Sequence, residues 1–213
     1  MRKFNIIKVH PIQNSNHLLV IHEMEKIDID EWRDKHHPQS KENNSSDGEW
    51  SWLGIFISYK IANILGQKVK GYVYRINGEI FGISIVAYDY PCHIKPNQIN
   101  PYLWYIVKSP HSQRILFDGN ISENIKFQKY VYDIIYDEVT KSQVSSSFQT
   151  FWLHADPTGK DKLLNMYKDK GFVSCTLIQQ KIVKYRSDDS RYLYLAKDKF
   201  DKLSITDRGV TNV

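Results

Sequence analysis

The sequence predicts an α/β fold, with a central mixed, mostly antiparallel sheet of six to seven strands and helices on both faces. Three observations lead to this prediction. The elements read along the chain give the order β-α-α-β-β-β-α-β-α-β-β. Helices and strands alternate mainly after residue 100. A hairpin lies in the middle of the chain, where the Asn77-Gly78 pair separates two β-rich segments.

The N-terminal part predicts a strand at residues 4–9, followed by a segment with two interpretations. Residues 18–26 suit a short helix, whereas the apolar residues 18–21 alone suit a strand. A second helix is predicted at residues 50–65 and ends at Gly66, a residue type that commonly follows a helix. Because this helix is apolar on nearly every side, we expect it to be deeply buried.

Between these helices, residues 33–49 are strongly polar and contain almost nothing to bury. This composition predicts a flexible loop, either disordered or acting as a mobile lid. Its His36-His37 pair is only superficially like a metal motif, since no carboxylate or cysteine follows at a useful spacing. No metal site is therefore predicted.

The middle of the chain predicts a hairpin over residues 69–88, which stops at Pro91. A further strand is predicted at residues 103–107 and is ended by Ser109-Pro110. A helix then runs from residue 122 to about 140, and Asn120 with Glu123 has the spacing of a capping box.

The C-terminal third begins with a short apolar strand at residues 151–155. An amphipathic helix then carries Tyr167 and ends at Gly171. The chain returns to β-structure at residues 173–180, then 181–185, and again at 192–195. Residues 201–213 are expected to form a frayed tail.

The composition is that of an ordinary globular protein. Of its 213 residues, 41% are hydrophobic and 25% charged, and no apolar run is long enough to span a bilayer. We therefore expect a single domain over residues 1–200. The net charge of +5 is spread along the chain, which favours a solvated surface over a nucleic-acid footprint. Only two cysteines are present, and the N-terminus lacks the features of a signal peptide, which predicts a reducing, cytoplasmic compartment.

The most informative segment is residues 151–172, Phe-Trp-Leu-His-Ala-Asp-Pro-Thr-Gly-Lys-Asp-Lys-Leu-Leu-Asn-Met-Tyr-Lys-Asp-Lys-Gly-Phe. It combines a buried strand, a turn, a helix with a tyrosine, and a Gly-Phe exit into another strand. This order resembles the late signature of the GNAT superfamily of acyl-CoA-dependent N-acyltransferases. The predicted element order is also similar to that of the superfamily over most of the chain.

The resemblance implies an N-acyltransferase, most simply an acetyltransferase, that moves an acyl group from acetyl-CoA or another acyl-CoA to a primary amine by direct attack. Tyr167 would protonate the departing thiolate as a general acid. Ile106 and Val107, on the strand at residues 103–107, would bind the cofactor, and main-chain N–H groups there would polarise the thioester carbonyl. The alternative for Tyr167 is a structural role, as a core tyrosine whose hydroxyl makes a hydrogen bond.

The resemblance also implies a loop that cradles the CoA pyrophosphate before the helix at residue 122. Helix N-termini attract phosphate, because their N–H groups are unpaired and the helix dipole is positive there. The stretch of residues 109–122 has a single glycine, at a different spacing from the superfamily pattern, so an ordinary capped helix is the alternative. The cofactor-binding candidates in this stretch are Gln113, Arg114, Gly119, Asn120, Ile121 and Ser122.

A general base has no motif of its own. His154 is the first candidate, because it lies on the strand before the tyrosine helix and faces away from Leu153. A satisfied core histidine is the alternative, and Asp89 is a weaker candidate base. The acceptor stays open between a small amine, a protein amine and an aminoacyl-tRNA, as does the oligomeric state. The alternative function is a GNAT-like binding or interaction module without catalysis, and a weaker alternative is a nucleic-acid-binding domain.

Overall fold

The computed structural model describes residues 4–12, 17–91, 99–110, 127–141, 148–175 and 191–206. These residues contain eight strands and six α-helices. The strands are β1 (Ile6–Pro11), β2 (Leu18–Glu23), β3 (Val69–Ile76), β4 (Glu79–Pro91), β5 (Ile99–Lys108), β6 (Thr150–His154), β7 (Val173–Ser174) and β8 (Tyr192–Ala196). The helices are α1 (Lys26–Lys35), α2 (His37–Glu42), α3 (Trp52–Ile64), α4 (Phe127–Lys141), α5 (Lys160–Asp169) and α6 (Lys197–Thr206). Two short 3-10 helices cover Ser46–Glu49 and Pro157–Gly159.

The strands form one sheet in the order β1-β2-β3-β4-β5-β6-β8-β7. The β1–β2, β2–β3, β6–β8 and β7–β8 pairs are antiparallel, whereas β5 and β6 are parallel. The predicted fold class, a mixed and mostly antiparallel sheet with helices, is confirmed. The sheet has one strand more than the predicted six to seven, because the segment after residue 17 is a strand.

The chain divides into two compact units, each built from two segments. The first comprises Met1–Val86 and Tyr105–Phe127, and the second comprises Ala87–Trp104 and Gln128–Val213. Strands β4 and β5 each contribute residues to both units. The single domain expected over residues 1–200 stays a prediction.

In the first unit, the hairpin turn between β3 and β4 follows the sequence prediction. Asn77 and Gly78 both have positive φ, at 52° and 82°, as a two-residue hairpin turn of the favoured type requires. Helices lie on both faces of β3: Arg75 bonds to Asp28 of α1, while the neighbouring Tyr74 packs edge-to-face on Phe127, the first residue of α4. The predicted placement of helices on both faces is therefore confirmed at this strand.

Of the two interpretations of residues 18–26, the helix is wrong and the strand is correct. Leu19 and Ile21 are fully buried and pair with Ile76 and Tyr74 of β3. Their spacing of two residues places both side chains on the same face of the sheet. The short apolar segment carried no signal that separates a strand from a buried helix, and pairing with β3 decides between them.

The prediction of a polar flexible loop at residues 33–49 is wrong. The end of α1, the whole of α2 and a 3-10 helix occupy this segment. Trp32, His36 and Ser40 are spaced by four residues and are almost fully buried. Two of these three buried residues are polar, so the segment has no apolar periodicity. The ring of His36 is held by a hydrogen bond between its Nδ1 and the Ser109 hydroxyl at 2.9 Å.

Helix α3 begins and ends close to the predicted positions, but its deep burial was predicted wrongly. Ser51 caps its N-terminus by accepting the N–H of Gly54, and Gly66 follows its end with φ 81°. One face is buried through Trp52, Ile55, Tyr59 and Ala62. The opposite face carries large aliphatic side chains that are exposed to solvent.

In the second unit, β6 packs one face against helical aromatic residues. Phe151 contacts Tyr132 of α4 and Phe200 of α6, with ring centroids 5.7 and 4.9 Å apart. Phe200 is fully buried, and its helix extends to Thr206. The frayed tail predicted from residue 201 is therefore wrong for residues 201–206, because burial of Phe200 anchors the helix. Residues 207–213 lie outside the described part of the chain.

Candidate active site

The second half of β5 has one edge that faces away from β4. Ser109, directly after the strand, donates its main-chain N–H to the Phe81 carbonyl on β4 at 2.9 Å. The Val107 carbonyl lies on the same side, 2.8 Å from where a Cβ on Gly82 would stand. Because main-chain groups alternate in direction along an antiparallel strand, the N–H of Ile106 points to the other edge. Of the two predicted strand residues, Val107 has its carbonyl on the β4 side, and cofactor binding by Ile106 and Val107 stays a prediction.

The parallel pairing of β5 with β6 is short. Among the described residues it consists of Tyr102 opposite Trp152 and Leu103 opposite Leu153. Strand β6 ends at His154, while β5 continues for five residues beyond Leu103.

A buried amide fixes the start of this short pairing. Asn100 is fully buried, and its Oδ1 accepts hydrogen bonds from the Thr150 N–H and the Thr150 hydroxyl, both at 3.1 Å. The indole N–H of Trp152 donates to the same hydroxyl at 2.7 Å. Asn100 therefore holds the beginning of β6 beside the beginning of β5. No motif predicts this role; the one signal in the sequence is a polar amide between Ile99 and Pro101 in an apolar strand.

We expect Asn100→Ala to lower the free energy of unfolding by about 2 kcal/mol, because the buried Thr150 donors lose their acceptor. Urea denaturation monitored by tryptophan fluorescence measures this loss. Asn165→Ala, on the exposed side of α5, is the matched control and should change stability by less than about 0.5 kcal/mol. Equal effects of the two substitutions would contradict the role given to Asn100.

Helix α5 places Tyr167 as the sequence predicts. Gly171 has φ 88° and donates its N–H to the Lys168 carbonyl, which closes the helix. The Phe172 N–H then bonds to the Tyr167 carbonyl at 3.2 Å, and the two rings pack edge-to-face at 5.5 Å. Phe172 in turn contacts Phe151 of β6. Tyr167 therefore lies on the same side of β6 as Phe151.

The side chain of Tyr167 is only 4% exposed. Burial raises its pKa to about 12, because the phenolate would lose its solvation. The hydroxyl is therefore fully protonated at neutral pH, as a proton donor must be. The same shift makes Tyr167 a weak acid, and this limits how far it can release its proton.

His154 lies on the opposite face of β6 from Tyr167. Its ring packs on Tyr192 at 4.6 Å, and Trp152, two residues earlier, packs on Tyr194. Trp152, Tyr192 and Tyr194 belong to an aromatic cluster that also contains Tyr90, Tyr102 and Trp104, together with Ala87 and Cys175. The predicted alternation of His154 and Leu153 is confirmed by these contacts. Asp89, the weaker candidate base, lies on β4.

Arg191 fixes the turn between β6 and α5, a role that was not predicted from the sequence. Its guanidinium donates to the carbonyl oxygens of Ala155 at 2.8 Å, Asp156 at 3.2 Å and Lys160 at 2.5 Å. Lys160 has φ 48°, an unusual conformation for a residue with a side chain, and the bond to Arg191 holds it there. The arginine beside Tyr192 was visible in the sequence, but its targets are main-chain groups, which no motif specifies.

Six of the predicted cofactor contacts, Gln113, Arg114, Gly119, Asn120, Ile121 and Ser122, lie outside the described residues. The capping box of Asn120 and Glu123 lies outside them as well. Within the described ranges, no group of three or more histidine, cysteine, aspartate or glutamate side chains could hold a metal ion. No helix in the same ranges is both long and apolar enough to cross a membrane.

Among the described residues, the order of elements and the parallel β5–β6 pair followed by the helix with Tyr167 are similar to the fold of the GNAT-family acetyltransferases. Comparison with solved structures confirms this. A GNAT-family acetyltransferase from Staphylococcus aureus Mu50 is similar with a TM-score of 0.54 and 12% identity, covering 84% of this chain and 98% of that chain.

Two other solved structures show the same fold. An uncharacterized protein from Bacillus halodurans is similar with a TM-score of 0.52 and 11% identity, covering 97% of this chain and 98% of that one. The complex AtaTR bound with acetyl-CoA has a TM-score of 0.51 and 11% identity, covering 87% and 97%. No family model matches this sequence, and no curated protein matches it. At these identities the likeness concerns the fold alone.

Proposed function

We propose that this protein is an acyl-CoA-dependent N-acyltransferase that transfers an acyl group, most simply acetyl, to a primary amine. The observation that carries the proposal is the short parallel pairing of β5 with β6, the strand that leads through a turn into the helix bearing Tyr167. The main-chain N–H of Ile106, on the edge of β5 that faces away from β4, would be the donor to the cofactor. An extended, amide-containing ligand such as the pantetheine arm of CoA can bond to such an edge as an added strand would. The GNAT fold of the chain supports the same reading.

Main-chain groups at this edge would act on the thioester. The N–H of Ile106 would donate to the thioester carbonyl oxygen, which becomes negative when the amine adds to the carbonyl carbon. The C–S bond then breaks, so an amide forms and CoA leaves as a thiolate. The predicted cofactor contacts within residues 113–122 would bind the phosphates of CoA.

Tyr167 would donate to the departing sulfur. A phenol with a pKa of about 12 is roughly 3.5 units weaker as an acid than an alkyl thiol, for which the cysteine value of about 8.5 is a guide. Complete proton transfer would then be uphill by about 5 kcal/mol. This pKa suits a phenol that first donates a hydrogen bond to the sulfur and completes the proton transfer as the thiolate separates. It suits protonation of the sulfur before the C–S bond breaks less well.

His154 would accept the proton that the attacking amine loses. It lies on the face of β6 opposite Tyr167, so the group that takes up a proton and the group that gives one are separate. The aromatic cluster beside His154 supplies an apolar setting in which an amine would be kept uncharged and nucleophilic. The acceptor itself stays a primary amine of unspecified class.

Thermal unfolding with acetyl-CoA tests the cofactor proposal. Ligand at about a hundred times its dissociation constant adds about 2.7 kcal/mol of stability, which raises the melting temperature by roughly 5–10 °C in a chain of this size. Ile106→Pro removes the main-chain donor at the free edge and spares the hydrogen bonds to β4, so it should abolish the shift.

Ile106→Val, which keeps the N–H, is the matched control and should retain the shift. Circular dichroism confirms that both variants are folded. An unaltered melting temperature of the wild type in millimolar acetyl-CoA would refute the proposal. So would an undiminished shift in Ile106→Pro.

One observation favours a second function, a GNAT-like binding or interaction module without catalysis. Tyr167 is almost completely buried and weakly acidic, as a tyrosine with a purely structural role would be. Such a module would retain the fold, and it could bind CoA without releasing free thiol. Detection of free CoA with a thiol reagent, over a panel of amines, separates the two functions.

A further inference from the structure

Helix α3 carries a row of exposed aliphatic side chains. Leu53, Ile57, Ile61 and Leu65 follow one another at intervals of four residues and are 41%, 48%, 49% and 74% exposed. We call these four residues the α3 ridge. Ile64, beside the ridge, is 81% exposed. Exposed aliphatic residues occur singly on most proteins, but a row along one helix indicates a surface that is covered by a partner.

A shallow groove runs beside the ridge. Gly54 and Ser58, also four residues apart, lie next to the ridge on the helix surface and have the smallest side chains on this face. Side chains at intervals of four form the ridges that interdigitate in the commonest class of helix packing, at a crossing angle of about −50°. The ridge of one α3 therefore fits the groove of another α3, which makes the face complementary to itself.

The charge on α3 argues against other kinds of partner. Lys60 is the one charged residue between Ser51 and Gly66, and its ammonium lies 5.3 and 4.8 Å from the ring centroids of Phe56 and Tyr59. Membrane-surface helices carry several lysines or arginines along their polar sides, and charged partners need opposite charges. This face has no acidic residue, and its one lysine contacts aromatic rings of the same helix. The face is therefore complementary to an uncharged surface.

The exposed area is close to what a specific interface requires. The exposed fractions of the ridge and Ile64 amount to about three fully exposed aliphatic residues, on the order of 500 Å². Two copies would bury about 1,000 Å² together, the size at which an interface becomes specific. A patch of this size lies at the upper end of what a typical monomer exposes.

We propose that the α3 ridge binds a second copy of this chain through a two-fold symmetric pairing of α3 helices. In such an isologous interface each ridge packs against the groove of the partner, and Ile57 and Ile61 lie nearest the symmetry axis. This dimer involves neither Tyr167 nor Ile106, so it is independent of the proposed catalytic function. Because its area is at the lower limit, the dimer forms in a concentration-dependent manner.

Sedimentation velocity of the full chain between 1 and about 100 µM tests the dimer. The wild type is expected to shift from monomer to dimer over this range, and Ile57→Glu to weaken association at least tenfold, because each interface would bury two carboxylates without partners. Ile57 is half exposed, so the variant should fold normally. Val173→Glu, at a residue of similar exposure on β7 (47%), is the matched control and should leave association unchanged.

Ser58→Cys provides a second measurement. Oxidation should cross-link two copies through this groove residue, and adding Ile57→Glu should abolish the cross-link. A wild type that stays monomeric at every concentration would overturn the proposal, as would a dimer that persists in Ile57→Glu. Co-sedimentation of a monomeric wild type with anionic lipid vesicles, lost in Ile57→Glu, would assign the ridge to a membrane surface instead and equally overturn it.

Discussion

Tyr167→Phe is expected to lower kcat by roughly 10²- to 10³-fold while leaving the affinity for acetyl-CoA nearly unchanged. The substitution removes one oxygen atom and keeps the ring that packs on Phe172. The departing thiolate would lose its proton donor, whereas the contacts of the ground-state cofactor would remain. Steady-state kinetics give kcat, and calorimetric titration gives the dissociation constant of acetyl-CoA.

Tyr130→Phe is the matched control for this prediction. Tyr130 is a second buried tyrosine, on α4, and burial raises its pKa too. Its replacement should leave kcat within about twofold of the wild type. If Tyr167→Phe also retained full turnover, the tyrosine would have no part in the mechanism. If both variants lost activity equally, the loss would come from packing rather than from proton donation.

Arg75→Met should be the most destabilising single substitution considered, with a loss of about 3–5 kcal/mol in the free energy of unfolding. The Arg75 side chain is 5% exposed, and its Nη2 lies 2.8 Å from Asp28 and 2.7 Å from Glu31. Asp28 is fully buried. Methionine fills a similar volume, so the loss arises mainly from leaving carboxylates without their cation.

The pH dependence of stability tests the same contact. Burial by itself raises the pKa of Glu31, but the hydrogen bond and charge of Arg75, helped by Lys35, outweigh it and hold this pKa below its ordinary value. A lowered carboxyl pKa contributes stability above the unfolded value of about 4.3, and this contribution is lost as the pH falls through the folded value. Arg75→Met should therefore flatten the fall in stability below about pH 5.

Arg33→Met is the matched control, since Arg33 also lies near carboxylates of α1 but its side chain is 46% exposed. Exposed ion pairs contribute about 0–1 kcal/mol, so this variant should be nearly as stable as the wild type. Chemical denaturation at pH 4 and pH 7 provides all the values. A loss in Arg75→Met no greater than in Arg33→Met would contradict the account of the buried cluster.

Elements whose signal is local could be predicted from the sequence. The Asn77-Gly78 turn follows from the two positive φ angles that these residue types adopt easily. The end of α5 at Gly171 follows from the same preference. The order of these elements was sufficient for the fold class, because few arrangements of a sheet and its helices accommodate it.

Elements that depend on distant contacts could not be predicted. Helices α1 and α2 bury His36 and Ser40, which are polar, so hydrophobic periodicity misses them. The apolar composition of α3 indicated burial on all sides, yet one side is exposed, because composition alone does not show which sides of a helix are covered. The anchor of α6 is one phenylalanine, Phe200, which contacts residues far away in the sequence.

The candidate site was predicted unevenly for a related reason. The position of Tyr167 on α5 follows from a local pattern of residues, and so does the face on which His154 lies. Asn100 and Arg191, which hold the strands and the turn beside these residues, bond to main-chain groups or to a distant threonine. Such partners have no sequence pattern, since any residue type supplies a main-chain carbonyl.

The division of the chain into two units, each made of two segments, has a consequence for synthesis on the ribosome. The first unit includes Phe127, whose ring packs on Tyr74 and Phe81. Translation therefore has to pass through β5 before the N-terminal unit has all its core residues. The nascent β3–β4 hairpin emerges earlier, with apolar surface still uncovered, and this interval is when the chain is most exposed to aggregation and to chaperones.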